Sequence, residues 1–280
     1  MPPEWIALDV GAARLEGWAM RGRDVLDRQN AQGRALTAEA ILAFLEPWIA
    51  SDPVRVVACG PLGPLGATVP AKPLATGLVK IDLGDARVDF QAVPGLRRSA
   101  PAGLMQGGET KVAGFLQRNP GWDGVICLTG AETQWVHVSA GEVVSFQTFL
   151  SGGVLSAMGT GTVLARWLSQ AEPDRRTFAD AVEDAMAKPE RIMARLAETH
   201  AAAMLESLAA DEVSARVHGT IIGAELAAAR PYWLGQQVAV MGEGGLPSLY
   251  QAALERQRVP VAAAESSHMT LAGLIAARDA

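Results

Sequence analysis

The chain has 280 residues, a hydrophobic content of 49% and a formal net charge of −6, enough length and core for two domains of ordinary size. It carries no basic stripe, so nucleic acid is not an expected partner. No apolar run reaches the ~18 residues of a membrane span, and the first residues lack a basic-then-apolar signal pattern, so neither a membrane nor export is expected.

In chain order, residues 5–10, 14–20 and 23–29 read as three strands with turns near Gly11 and Gly22. Residues 37–49 show apolar positions at helical spacing, with Thr37 as N-cap. Residues 54–60 form a buried strand ending in glycine. Residues 61–77, with four prolines and three glycines, read as a loop. Residues 87–96 predict a strand and 108–119 a helix. The order then restarts. Residues 124–130, 133–141 and 142–150 predict three strands, and a helical stretch begins at 153. About three helices fill 174–230. Residues 236–257 read as strand, glycine turn and helix, 259–264 as a short strand and 269–277 as a helix. Cys59 and Cys127 end apolar strand-like runs and read as buried, reduced thiols of a cytoplasmic protein. Two cysteines and four scattered histidines give no zinc spacing. The seven tryptophans fall mostly at apolar periodic positions and are expected in the core.

The restart is an internal repeat. Residues 6–22 and 126–141 each give an apolar strand ending at Gly-Ala, a second strand and a turn glycine. Gly11 to Gly22 and Gly130 to Gly141 are both eleven residues apart. Glycine turns between strands cradle phosphate, because their N–H groups point outward and no Cβ blocks approach. They are also ordinary hairpin turns. The predicted architecture is α/β, each half opening on three antiparallel strands and continuing in alternating helix and strand, with mixed sheets flanked by helices.

These residues resemble the 2-keto-3-deoxygalactonokinase family of the sugar-kinase and actin superfamily. The opening pattern W-I-A-V-D-W-G-T-T/S-x-L-R-A-W is matched by Trp5-Ile6-Ala7-Leu8-Asp9-Val10-Gly11-Ala12-Ala13-Arg14-Leu15-Glu16-Gly17-Trp18. V-P-G-L is matched at Val93–Leu96, M-R-G-E-E-T-Q at Met105–Lys111, L-P-G-T-H-S-K-W-V at Leu128–Val136 and F-x-T-F-x-x-G at Phe146–Gly152. Ile222-Gly223-Ala224-Glu225-Leu226 and Thr270-Leu271-Ala272-Gly273-Leu274 also fit. The resemblance implies two ribonuclease-H-like domains, residues 1–120 and 121–280, with an interdomain cleft that holds ATP. It implies an ATP-dependent kinase acting on the 6-hydroxyl of 2-dehydro-3-deoxy-D-galactonate, with Mg²⁺ as the metal.

The departures cluster at the site motifs. Ala12 and Ala13 replace Thr or Ser, Ala131 replaces Thr, Glu132 replaces His and Gln134 replaces Lys. Gln106 stands for Arg and Gly108 for Glu, and the loop from Gly60 to Pro73 lacks the aromatic and carboxylate of its family counterpart. By resemblance, Asp9 holds a magnesium-bound water near the phosphates; the alternative is an Asx turn that closes the hairpin. Gly11, Ala12, Gly130 and Ala131 offer backbone to the phosphates, and the turn of Gly242, Gly244 and Gly245 passes under adenine. Glu109 is the general base, or a first-turn carboxylate complementing its helix. Gly60, Lys72 and Arg97 (or Arg98) meet the sugar acid. Glu132 repels phosphate. The expected partner is a small sugar acid, and the expected assembly a homodimer. The competing reading is a homologue that has lost catalysis and serves as a ligand- or partner-binding protein.

Overall fold

The computed structural model describes residues 2–11, 14–33, 37–168 and 172–280. The chain divides into two compact units. The first comprises Met1–Asp123, Val138–Phe146 and Glu265–Ala280, and the second Gly124–His137 and Gln147–Ala264.

The N-terminal part runs β1 (Trp5–Val10), β2 (Arg14–Arg21), β3 (Asp24–Gln32), α1 (Ala38–Leu45), β4 (Val54–Cys59), β5 (Leu65–Thr68), β6 (Val79–Lys80), β7 (Val88–Ala92), β8 (Gly95–Arg98), β9 (Gly103–Met105) and α2 (Gly108–Arg118). Its main sheet has the order β3-β2-β1-β4-β7-β6, and β5-β8-β9 form a small second sheet. β1 is antiparallel to β2, and parallel to β4. Strand periodicity sends alternate β1 residues to opposite faces. Ile6, Leu8 and Val10 pack with Ile41, Leu45 and Phe90 on one side. Trp5 and Ala7 pack with Trp18, Val57, Cys59 and Leu274 on the other. Asp9 follows on that second face, at the end of the strand.

Next come β10 (Gly124–Thr129), β11 (Thr133–Ser139), β12 (Glu142–Phe149), α3 (Ser151–Gly161), α4 (Ala165–Leu168), α5 (Arg175–Ala187), α6 (Ile192–Leu205), α7 (Ala210–Ala228), α8 (Arg230–Trp233), β13 (Val238–Gly242), α9 (Leu246–Arg256) and β14 (Val261–Glu265). The sheet order is β12-β11-β10-β13-β14, with β10 parallel to β13. Its core gathers Cys127, Trp135, Phe178, Ile222, Trp233, Val240 and Tyr250. The closing helix α10 (Ser266–Asp279) belongs to the first unit. There it crosses α2 at two glycines. A Cβ on Gly114 would stand 1.9 Å from the Met269 carbonyl, and one on Gly273 would stand 2.0 Å from the Thr110 carbonyl.

The repeat is a repeat of topology. In each sheet the third, second, first and fourth strands of the half lie side by side in that order. Gly22 and Gly141 occupy the corresponding second turns, with φ +57° and +78°.

Several elements differ from the sequence expectation, β6 and β9 among them, and proline explains two of the differences. The helix predicted over 37–49 ends at Leu45, where Glu46–Trp48 tighten into a 3-10 turn around Pro47, which lacks the N–H a continuing helix needs. Thr37 caps it as expected, its hydroxyl accepting from Ala40 N–H. The strand predicted over 87–96 breaks into β7 and β8 in different sheets at Val93-Pro94, because proline has no ladder donor. The predicted loop 61–77 contains β5. Both cysteines are buried and free, and Trp5, Trp18, Trp48, Trp135, Trp167 and Trp233 are buried.

Candidate active site

In the first unit the site builds around Asp9. The β1–β2 hairpin sets Asp9 opposite Glu16, and the parallel ladder sets it beside Cys59. Asp9 is 5% and Glu16 1% exposed. Two buried carboxylates side by side need countercharge. Arg14 Nη2 lies 3.6 Å from Asp9 Oδ2 and 3.2 Å from Glu16 Oε2. Arg28 of β3 pairs with Glu16 from the neighbouring strand. Lys111 of α2 brings its Nζ to 3.6 Å from the same Asp9 Oδ2. The Cys59 thiol donates to Asp9 Oδ1 at 3.5 Å. Burial, then the charge of Asp9, pushes that thiol well above its ordinary range, so it stays protonated.

Glu109 lies on the same helix as Lys111 and is fully buried. Its two carboxylate oxygens both accept from Gly107 N–H at 2.9 Å, and Oε1 accepts from the Thr110 hydroxyl at 3.1 Å. Burial lifts its carboxyl to about 7 against the lowering pull of these donors and Lys111. Gly107 starts α2 at φ +96° and packs on Gly60, where a Cβ on Gly107 would lie 3.3 Å from the Gly60 Cα. Gly60 itself has φ +123°, and a Cβ there would stand 2.0 Å from the Val10 carbonyl. Glycine is therefore required where β4 ends against β1. Gly11 N–H donates to the Arg14 carbonyl at 2.8 Å, closing the turn. Ala12 lies outside the described residues. Asp9, Gly11, Gly60 and Glu109 thus gather at one end of the first sheet, with α2. Lys72 and Arg97 stay outside this cluster among the described contacts. Lys72 is exposed after the Ala71–Val143 bridge, and Arg97 is exposed with its Nε donating to Thr68 Oγ1 at 3.0 Å.

The second unit repeats the strand-end arrangement. Gly242 closes β13 beside Thr129, and a Cβ there would lie 2.4 Å from the Thr129 carbonyl. Gly130 follows β10, and α3 begins directly over it. A Cβ on Gly152 would stand 1.8 Å from the Gly130 carbonyl, and Gly153 N–H donates to the Ala131 carbonyl at 2.7 Å. Gly130, Ala131 and Gly242 are therefore together at the carboxyl ends of two parallel strands, where open α/β sheets bind ligands. Gly244 continues that turn at φ +66°, exposed. Glu132 and the Ala131 side chain are exposed. Beneath them, buried Glu225 accepts from Trp135 Nε1 at 2.8 Å and Tyr250 OH at 2.7 Å, and burial raises its pKa.

The sequence reading missed Lys111, Arg14, Cys59 and Glu16 as companions of Asp9. Hairpin arithmetic could have found two of them. Positions 9 and 16 are symmetric about the turn, and Arg14 shares the Glu16 face by the period of two.

The 2-keto-3-deoxy-galactonokinase family model matches residues 9–277. The chain belongs to the 2-keto-3-deoxy-galactonokinase family. A Rhizobium meliloti (strain 1021) protein named "Probable 2-dehydro-3-deoxygalactonokinase DgoK1" is 26% identical over 99% of this chain and 97% of its own length. The 2-dehydro-3-deoxygalactonokinase of Escherichia coli (strain K12) is 25% identical over 98% of this chain and 97% of its own. A crystal structure from Sinorhizobium meliloti, assigned as a 2-dehydro-3-deoxygalactonokinase, shares a TM-score of 0.86 at 26% identity, covering 98% of this chain and 95% of that one. At the level of fold alone, the activator of the 2-hydroxyisocaproyl-CoA dehydratase from Clostridium difficile matches with a TM-score of 0.54 at 11% identity over 98% of this chain and 94% of that one. The family member described here thus has the α/β fold of actin-like ATPases and sugar kinases. Among the described residues, no helix is long and apolar enough to cross a membrane.

Proposed function

We propose that this chain is an ATP-dependent kinase that transfers the γ-phosphoryl group to the 6-hydroxyl of 2-dehydro-3-deoxy-D-galactonate. The observation that carries the reading is the family match over residues 9–277. The two similar strand-end arrangements support it, each a glycine turn at the carboxyl end of a parallel strand pair. We take the repeat as two ribonuclease-H-like halves in chain order, 1–120 and 121–280, with α10 returned to the first unit. The proposed setting is the cytoplasm, and the proposed assembly a homodimer, which light scattering would test.

In this reading Gly11 and Ala12 present backbone to the phosphates from the first unit, and Gly130 and Ala131 from the second. Gly242 and Gly244 pass beneath the base. Gly60, Lys72 and Arg97 are the proposed sugar-acid contacts, the two cations meeting its carboxylate. The residues around Asp9 suit a polyphosphate carrying its own magnesium better than a bare ion, because two cationic side chains already lie against the carboxylate. Asp9 would then accept a hydrogen bond from a metal-bound water. Magnesium, when bound with the nucleotide, neutralises charge that develops on the transferring group. Glu109 has a proton affinity suited to general base catalysis near neutral pH and would take the proton of the attacking hydroxyl. Its two bonds from Gly107 favour a second role, holding the start of α2. The competing view of a non-catalytic binding protein draws no support from the comparisons.

The deciding experiment is a coupled assay of ADP formation with a panel of 2-keto-3-deoxy sugar acids. Turnover with the galactonate above the other acids supports the reading. ADP release that does not depend on any sugar acid overturns it.

A further inference from the structure

We infer that Glu225, buried in α7, is a positioning residue: its carboxylate ties β11, α3 and α9 into one frame that holds the two glycine turns of the second unit in place for the nucleotide. The inference rests on the kinase reading, in which those turns meet ATP, and deepens it by naming what fixes them.

The turns cannot fix themselves. Gly130, Gly242 and Gly244 have no side chains, and the Ala131 methyl is exposed. A backbone with so little of its own to pack is soft unless its flanks are anchored. The flanks of both turns converge on one carboxylate. Glu225 Oε1 accepts from Trp135 Nε1 of β11 at 2.8 Å, and Oε2 accepts from the Tyr250 hydroxyl of α9 at 2.7 Å. The hydroxyl of Ser151, the first residue of α3, bonds to the same carboxylate. Tyr250 spends its one proton on Glu225, so the Thr133 hydroxyl, 3.1 Å away, donates to it in turn.

Each of these partners adjoins a turn. Thr133 begins β11 directly after Gly130-Ala131-Glu132. Ser151 precedes Gly152, whose backbone is seated against the Gly130 carbonyl, and Gly153, whose N–H donates to the Ala131 carbonyl at 2.7 Å. Tyr250 lies on the helix that leads out of the turn of Gly242, Gly244 and Gly245. The Trp135 and Tyr250 side chains are fully buried, and a buried network with its members satisfied holds one geometry. The three donors to Glu225 are neutral, so shape and hydrogen bonding matter here more than charge. Glutamine meets that requirement. Its carbonyl accepts from Trp135, its amide donates to Tyr250, and the tyrosine hydroxyl reverses to donate to Thr133.

The test compares wild type, Glu225→Gln and Tyr250→Phe by steady-state kinetics with ATP and 2-dehydro-3-deoxy-D-galactonate, and by calorimetric titration with ATP in magnesium. Tyr250→Phe cuts α9 and Thr133 from the frame, and unlike Glu225→Ala it does not strand the buried indole donor. It should raise the KM for ATP about tenfold or more and lower kcat by up to ~10²-fold, the effect of misplacing a bound group by about 1 Å. The KM for the sugar acid should hold, because Gly60, Lys72 and Arg97, its proposed contacts, belong to the first unit. Glu225→Gln should stay near wild type in all three constants. A merely structural role lowers the amount of active protein and moves neither KM. An unchanged KM for ATP in Tyr250→Phe therefore overturns the inference, as does a Glu225→Gln protein as impaired as Tyr250→Phe. Calorimetry keeps the two readings apart. ATP affinity lost in Tyr250→Phe and kept in Glu225→Gln, in a protein without sugar-acid turnover, refutes the kinase alone. Turnover in wild type with equal ATP affinity in Tyr250→Phe refutes the positioning role alone.

Discussion

Asp9 and Glu109 are both buried carboxylates, yet their surroundings assign them different chemistry. Asp9 has two cations against it, Arg14 and Lys111, each 3.6 Å from its Oδ2. Glu109 has only neutral donors at its oxygens, and burial carries it to about 7. Asp9→Asn keeps the size of the side chain and removes the charge that anchors Arg14 and Lys111. Turnover should fall by orders of magnitude, with its magnesium dependence altered, while the hairpin still closes. Unchanged turnover and magnesium dependence would reduce Asp9 to a turn residue; thermal melts are the folding control. Glu109 gives a prediction in pH. Its folded pKa is raised above the unfolded value of 4.5. The folded state therefore holds the extra proton between those values, and stability present below pH 4.5 is lost as pH rises through about 7, on the order of 3 kcal/mol. Glu109→Gln should remove that slope from melting temperature against pH. If Glu109 is also the base, the wild-type rate climbs through pH 7 as the carboxylate forms, and the glutamine variant loses about 10²–10⁴ in kcat. A variant whose melting curve changes while kcat holds would confine Glu109 to capping α2.

Among the elements, the pair α2 and α10 carries the most consequence for the site. Gly114 and Gly273 let the two backbones touch, and Thr110, whose carbonyl meets Gly273, lies between Glu109 and Lys111. Gly273→Ala relieves a glycine inside a helix, worth ~1 kcal/mol in propensity, but it puts a methyl 2.0 Å from a backbone oxygen. The helices must part, at a typical overpacking cost of ~1–3 kcal/mol. We expect a lower melting temperature and a loss of kcat, because α2 shifts with both of its site residues. Gly77→Ala, with nothing within 4 Å, is the control that should move neither. A Gly273→Ala protein as stable and as active as the control would refute this account. The sequence made the start of α2, the first hairpin and its repeat legible, because Gly11, Gly22, Gly130 and Gly141 punctuate strongly periodic strands. It flagged Gly223 and Gly273 only as family-pattern matches. Their physical reason is helix contact across long sequence separation, Gly223 against Val182 and Gly273 against Thr110. No local pattern encodes that. The split at Pro94 was readable from proline alone, whereas β6 and β9, of two and three residues, are held by tertiary pairing.

For the molecule as a whole, the shared strand order gives Asp9 and Gly11 counterparts at Leu128 and Gly130, and Gly60 and Gly242 each end the strand parallel to their hairpin. The halves differ in charge. The first surrounds its turn with Arg14 and Lys111. The second exposes Glu132 beside Ala131, so its turn offers backbone donors but adds a negative charge and no hydroxyl. A carboxylate there opposes an incoming phosphate, and one missing donor in a transition state typically costs ~10²–10³ in rate. Ala131→Thr combined with Glu132→His should therefore raise kcat with the galactonate by tenfold or more, an estimate of about one such donor partly restored. Both side chains are exposed, and the Ala131 carbonyl that receives Gly153 N–H is unaltered, so the melting temperature should shift by little. The single variants and their pH profiles separate the two substitutions. Glu132→His alone removes the opposing carboxylate at every pH and adds a charge only below the imidazole pKa, so a gain from that single variant, larger at low pH, assigns the effect to position 132, and a gain seen only with Ala131→Thr assigns it to the threonine hydroxyl. No gain at any pH, with ATP affinity also unchanged, would mean that the second turn does not meet the phosphates.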